Sequence, residues 1–194
     1  MATATIDAAF SEQILHDVLG DFEIEFVIGT DGMGVSDGPV ILRSAIRFSV
    51  GSIPSNAVIS AIHLLVTIQA TSGAGSDSWD VGPYRTSGTA DPEADDETTA
   101  YNGCEVTATR YLRTTAFRST GLADLDIGSA QAITDLTAAL SGGVFTLALK
   151  MVDEASAPVR SSQFWAYTED ENPQLVVTYT VPASNSPLYW RWRS

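Results

Sequence analysis

The chain has 194 residues, 44% of them hydrophobic and 18% charged, with a mean hydropathy of +0.08. That composition suits one domain with a core of its own and excludes wholesale disorder. A net charge of −14, with an isoelectric point near 4.2, repels phosphate backbones and anionic lipid, which argues against nucleic acid and membrane surfaces as partners.

Cys104 is the single cysteine, so no intrachain disulfide can form, and a small buried thiol is expected. The opening residues, Met1 to Asp7, lack the positive start and apolar stretch of an export signal. The most apolar run, Ala57 to Ala70, is interrupted by Ser60, His63, Thr67 and Gln69 and is no transmembrane helix.

Alternation of period two dominates the chain. Near the start two readings compete. Thr3 to Leu15 reads as a strand. Phe10, Ile14, Leu15, Val18 and Leu19 instead form an amphipathic stripe, with Ser11 as a helix N-cap. Glu23 to Ile28 alternates clearly, and loops follow at Thr30 to Gly34 and Ser36 to Pro39. Val40 to Val50 and Ala57 to Gln69 are long β-rich runs joined by a Pro54 turn. Shorter strands are expected at Asp80 to Arg85, Glu105 to Tyr111, Leu122 to Ile127 and Gln163 to Tyr167. The span from Thr86 to Gly103 reads as one long loop. Ser129 to Leu140 carries Ile133, Leu136, Ala139 and Leu140 at helical spacing, stopped by Ser141-Gly142-Gly143. Gly143 to Val152 and Gln174 to Val181 close the series as strands. About eight to ten short strands with one short helix predict an all-β fold, an antiparallel β-sandwich of jelly-roll type. It should occupy residues 1–182, with an aromatic and basic arm at residues 183–194.

Chemistry-bearing patterns are sparse. There is no nucleophile elbow, no phosphate loop and no His-Glu-x-x-His. The glycines at 29, 32 and 34 read as a turn. His16 and His63 are the two histidines, and His63, between Ile62 and Leu64, reads as structural. With two histidines and one cysteine a zinc site is not expected. The 24 acids leave room for a glycosidase carboxylate pair, but no spacing singles one out. Asp91, Asp95, Asp96 and Glu97 are the densest acids, with Asp31 and Asp37 second; calcium is the cation they would suit, and a solvated acidic loop is the plainer reading. Trp79, Tyr84, Tyr101, Trp165 and Tyr167 are candidates for stacking on a sugar, although core packing is commoner for such side chains. Leu188, Tyr189, Trp190, Arg191, Trp192 and Arg193 carry large anchors and charges opposite to the body, as interface hot spots do.

The stretch from Arg43 to Leu64, with Arg43, Arg47-Phe48, Ile53-Pro54, Ala57, Ile59, Ala61 and Leu64, resembles DNRLRE-type β-sandwich modules, which look like a jelly-roll carbohydrate-binding module. Tyr84-Arg85, Thr134-Asp135-Leu136, Leu140-Ser-Gly142-Gly143 and Asn172-Pro173-Gln-Leu175-Val176-Val177-Thr-Tyr179 extend the resemblance over roughly residues 3–181. It implies that Thr3 to Leu15 is the first strand. The Trp-x-Glu expected after the Tyr-Arg strand is missing, and Ala166-Tyr167-Thr168-Glu169 stands where Ser-Arg-Glu is common, so no sugar-site residue carries over. Such modules occur beside secreted polysaccharide enzymes and as structural proteins of tailed-phage virions. The expectation is therefore a non-enzymatic virion protein, a capsid decoration or a tail or fibre part. It would be without cofactor unless calcium binds, and it would contact other virion proteins and further copies of itself. The alternative is a module that binds a surface glycan, and a hydrolase comes third.

Overall fold

The computed structural model describes residues 1–17, 22–25, 33–37, 40–72, 78–85, 95, 97–106, 108–152, 160–164 and 172–183. Its strands are β1 (Ala2–Asp17), β2 (Phe22–Glu25), β3 (Met33–Asp37), β4 (Val40–Ser49), β5 (Val58–Ser72), β6 (Trp79–Pro83), β7 (Leu112–Thr114), β8 (Gly121–Asp126), β9 (Val144–Met151), β10 (Arg160–Phe164) and β11 (Gln174–Thr180). Two helices join them, α1 (Glu97–Gly103) and α2 (Ala130–Ala139), with a 3-10 turn at Ala116–Arg118. Every strand pairing is antiparallel. The fold is all-β and sandwich-like, as the alternation predicts.

Strand β1 settles the conflict at the N-terminus in favour of a strand. It runs 16 residues and changes partner along its length. Ala2 to Asp7 pair with β11, and from Ala8 onward the strand pairs with β4. The change comes at a bulge between Ala8 and Phe10, where the extra residue bends the strand. Strand β5 changes partner too: it pairs with β11 as far as Leu65 and with β10 from Ile68, with a register shift between Ile68 and Ala70. These two corner strands join the sheets into a barrel-like circuit, β1–β11–β5–β10–β3–β4 and back to β1. Strands β9, β6 and β7 extend it beyond β4, and β8 lies on the free side of β5.

The core follows from the pleat. Ile62, Leu64, Val66 and Ile68 of β5 point inward with Leu175 and Val177 of β11. They meet Ile46, Phe48, Phe145, Leu147, Leu149, Trp79 and Val81 from β4, β9 and β6. In β5 the buried parity switches from Ile59 to Ile62. Thr178 pairs with Ala61 and Tyr179 with Ile59, which leaves Ser60 as the extra residue, its hydroxyl donating to the Thr178 carbonyl at 3.2 Å. Helix α2 starts where expected. Ser129 caps it, Oγ accepting from the Ala132 amide at 3.2 Å, and Ala132, Leu136 and Leu140 join the core. Gly143, at φ 75°, turns the chain into β9 while its amide bonds the Ala139 carbonyl at 2.9 Å.

Three expectations fail. The described residues between 105 and 111 hold a turn at 108–109 instead of a strand; the Thr109 amide bonds Val106 O at 3.0 Å, and pairing with β6 begins only at Leu112. The expected loops at 30–39 contain β3, held between β10 and β4. The long loop after Thr86 contains α1, a second helix beside the one expected.

Helix α1 and the turns after it cover the outer face of β4, β9 and β6. Ala45, Tyr84, Ala100, Tyr101, Cys104, Val106 and Ala148 form a second small core there. The result is a strand, β9, buried from Phe145 to Met151 on both faces. Gly82 makes the covering layer possible: a Cβ at that position would lie 2.9 Å from Val106 Cβ and 3.1 Å from Arg110 Cα. Gly82→Ala should therefore push the turn off the sheet and lower stability by about 1–3 kcal/mol, read from denaturant unfolding. An unchanged midpoint would mean that the turn has room to give.

Candidate functional site

Two polar clusters stand out, one in a cleft and one under α1. The cleft lies between α2 and the ends of β6 and β9. It is an open cavity of about 430 Å³ lined by Tyr84, Arg85, Tyr111, Asp135, Phe145 and Thr146 among others. Asp135 is its hub. Oδ2 accepts from the Tyr111 hydroxyl at 2.7 Å and from Arg85 Nη2 at 3.0 Å, and Oδ1 accepts from Gln131 Nε2 at 2.8 Å. Tyr111 stacks on Phe145 with ring centres 6.4 Å apart, and Tyr84 donates to Asp95 Oδ2 at 2.8 Å. Burial pushes the Tyr111 phenol far above its ordinary value; its hydrogen bond to Asp135 and the carboxylate charge act the same way, against Arg85. A phenol so placed is a neutral donor, and a carboxylate holding three donors is a clamp. Among the described lining residues Asp135 is the one acid.

The second cluster crosses the covered face as a ladder. Asp80 of β6 sits opposite Lys150 of β9 on one side and Arg113 of β7 on the other. Arg113 grips Asp80 with both prongs, Nε to Oδ1 at 2.8 Å and Nη2 to Oδ2 at 2.9 Å, and that bond raises its already high pKa. Arg110 Nε lies 4.0 Å from the same carboxylate. Glu105 reaches down from the covering turn and accepts from Lys150 Nζ at 2.7 Å and Arg43 Nη2 at 3.2 Å. Arg43 also donates to the Tyr101 carbonyl at 2.9 Å and lies 3.9 Å from the centre of the Tyr101 ring. These charges fasten α1 and its turns to the sheet.

No family model matches the chain, and no curated protein matches its sequence.

The residues singled out in the sequence fall in different places. Trp79 is a correction: it is fully buried, edge-on to Phe117 with centres 5.6 Å apart, and presents no face to a sugar. Tyr84 and Tyr101 are buried as well. Trp165 and Tyr167 lie outside the described residues, as do Leu188, Tyr189, Trp190, Arg191, Trp192 and Arg193. Of the acids proposed for calcium, Asp91 and Asp96 lie outside them, Glu97 opens α1, and Asp95 takes the Tyr84 hydroxyl. Among the described residues no group of three or more His, Cys, Asp or Glu is placed to hold a metal ion, and no helix is long and apolar enough to cross a membrane. Cys104 is buried, its Sγ 3.7 Å from the Ser44 carbonyl. His63 stands on the outer face of β5, Nδ1 2.7 Å from Asp124 Oδ1. No local sequence motif announces the ladder. Its signal was there in Arg43, Asp80 and Lys150, charges set inside otherwise apolar strands.

Two measurements probe these clusters. Arg113→Ala strands a carboxylate with no exposure at all and should cost about 3 kcal/mol on unfolding, whereas Asp80→Asn, which frees a partly exposed guanidinium, should cost less. Equal costs would show that Arg110 substitutes for Arg113. The Tyr111 phenol holds its proton in the folded state at pH values where the unfolded chain, at about 10.0, releases it. Its contribution to stability is therefore complete below pH 10 and declines as pH rises further. Tyr111→Phe should make the alkaline fall in stability shallower by about one proton per molecule.

Proposed function

We propose that the chain is a non-enzymatic structural protein of a tailed-phage virion, a sandwich held in place by protein–protein contacts and anchored by its aromatic and basic arm. The observation that carries this reading is the position of three of the four large apolar side chains that are exposed among the described residues. Met1 is 93% exposed, Val58 56% and Val181 49%. The register of the strands brings them together: Ala2 pairs with Tyr179, and Thr180 pairs with Val58. They therefore crowd one end of the β1–β11–β5 sheet, where solvent contact with large aliphatic groups is unfavourable. The arm follows directly, beginning three residues after Thr180, and adds Tyr189, Trp190 and Trp192 to the same neighbourhood in sequence. The body supplies a stiff spacer. Its strands close on one another, α1 is pinned by the Arg43 bond to the Tyr101 carbonyl and the Glu105 ion pairs that follow it, and α2 by Asp135.

The resemblance to DNRLRE-type modules adds support. Two of its fragments, Tyr84-Arg85 and Thr134-Asp135-Leu136, lie far apart in sequence yet meet through the Arg85–Asp135 pair at 3.0 Å. The cleft they border is walled by side chains already engaged with one another, a use that fits fixing α2 to the sheet.

Deleting residues 187–194 should leave a folded protein, with unchanged circular dichroism, that no longer co-sediments with assembled particles. Val58→Asp should weaken incorporation by the same route. Normal incorporation of the shortened chain would overturn the anchoring role.

A further inference from the structure

Among the described residues, β8 presents a backbone edge next to exposed apolar and acidic side chains. Its six residues pair on one side with β5, from Gly121 opposite Ile68 to Asp126 opposite His63. Among the described residues nothing pairs with the other side. Its two faces differ. Leu122, 70% exposed, and the exposed Asp124 and Asp126 point outward, while Ala123 and Leu125 are buried against the core. An open edge of this kind is a template for strand addition.

The arm matches that edge position by position. Tyr189, Arg191 and Arg193 alternate with Leu188, Trp190 and Trp192. As an extended strand it carries two cations on one face, two residues apart, and two indoles on the other. Asp124 and Asp126 are also two residues apart on one face, with Ala123 and Leu125 on the other. The spacing agrees when the added strand runs parallel to β8, with Trp190, Arg191, Trp192 and Arg193 opposite Ala123, Asp124, Leu125 and Asp126. Charge agrees too. The arm has two arginines and no acid, so the rest of the chain bears −16 of the net −14. Two β8 edges facing each other would oppose acid to acid, so the edge rejects its own kind and admits a basic strand. The eight residues from Thr180 to Leu188 can span up to about 27 Å, enough to cross from one body to the next.

We propose that the open edge of β8 receives residues Leu188 to Arg193 of a second copy as an added strand, with Arg191 and Arg193 beside Asp124 and Asp126, and Trp190 and Trp192 beside Ala123 and Leu125. The inference rests on the reading of the arm as an anchor and names its receptor. The contact is heterologous: each copy offers an arm and an edge, so copies join head to tail into a ring or a file.

Light scattering on the full chain tests it. Masses should rise with concentration as multiples of 20.6 kDa and fall with added salt. The variant D124R/D126R should stay monomeric with unchanged circular dichroism; Asp126→Arg alone, which keeps the His63–Asp124 pair, serves if the double variant does not fold. The decisive experiment mixes two monomeric proteins, D124R/D126R with its arm intact and a chain lacking residues 187–194 with its edge intact. They should form a one-to-one dimer and nothing larger. A full chain that stays monomeric at all concentrations, the result of an arm docked on its own body, would overturn the inference, as would a mixture that does not pair. If removing the arm abolishes incorporation into particles but the β8 variants incorporate and associate normally, the strand addition is wrong and the anchoring role stands. If the shortened chain incorporates normally, the anchoring role itself is wrong.

Discussion

Strand β9 is covered on both faces, so the Lys150 ammonium, 5% exposed, cannot turn to water along the sheet and must meet its counter-charge inside the protein. The rest of the covering layer is arranged around that requirement. Glu105 comes down from the turn after α1 to supply one carboxylate, and it binds Arg43 of the next strand with the same oxygen. Asp80, opposite Lys150, in turn needs the Arg113 fork. Charges that would be a liability singly become the fasteners that fix a short helix of weak helix formers to the sheet. Gly82 sets the distance of closure, and the small side chains of Ala45 and Ala148 leave space for Ala100 and Tyr101 above them.

This layer explains where sequence and structure part company. Helix α1 contains Thr98, Thr99, Asn102 and Gly103, residues of modest or low helix propensity, and its stability comes from contacts with strands far away in sequence. No local pattern announces that. The β-branched residues between Glu105 and Tyr111 read as a strand on propensity, yet the segment crosses β6 in turns because Gly82 lets it pack close. Strand β3 has Gly34 and Asp37 inside it and is a strand because β10 and β4 flank it. By contrast, β5, β8, α2 and β11 were legible. Their alternation, or their Ser129 cap and Gly143 stop, is a local cause that acts on the same residues that display it.

The cleft was legible only in pieces. Tyr84-Arg85 and Thr134-Asp135-Leu136 could be picked out in the sequence, but not their meeting across 50 residues of chain. Trp79 shows the reverse difficulty. A tryptophan next to Asp80 at the start of a strand suits a binding platform and a core equally well in sequence. The pleat decides, since Asp80 takes the covered outer face and Trp79 must then point into the main core.

The two sheets are dressed unequally, and that inequality has a direction. On the β4–β9–β6 side the cations of the ladder, Arg43, Lys150, Arg110 and Arg113, are set against Asp80 and Glu105 beneath a protein layer. On the β1–β11–β5–β8 side the outward positions are Thr3, Thr5, Val176, Thr178 and Leu65, exposed or half-exposed, and the carboxylates there are Asp7, Asp124 and Asp126. A sheet face with acids but no arginine or lysine among its strand residues attracts a basic segment and repels a second face like itself. The exposed aliphatic end at Met1, Val58 and Val181 belongs to this same sheet. Apolar exposure, an open edge and unbalanced negative charge thus coincide on one side of the molecule, while the other side is closed by its own chain.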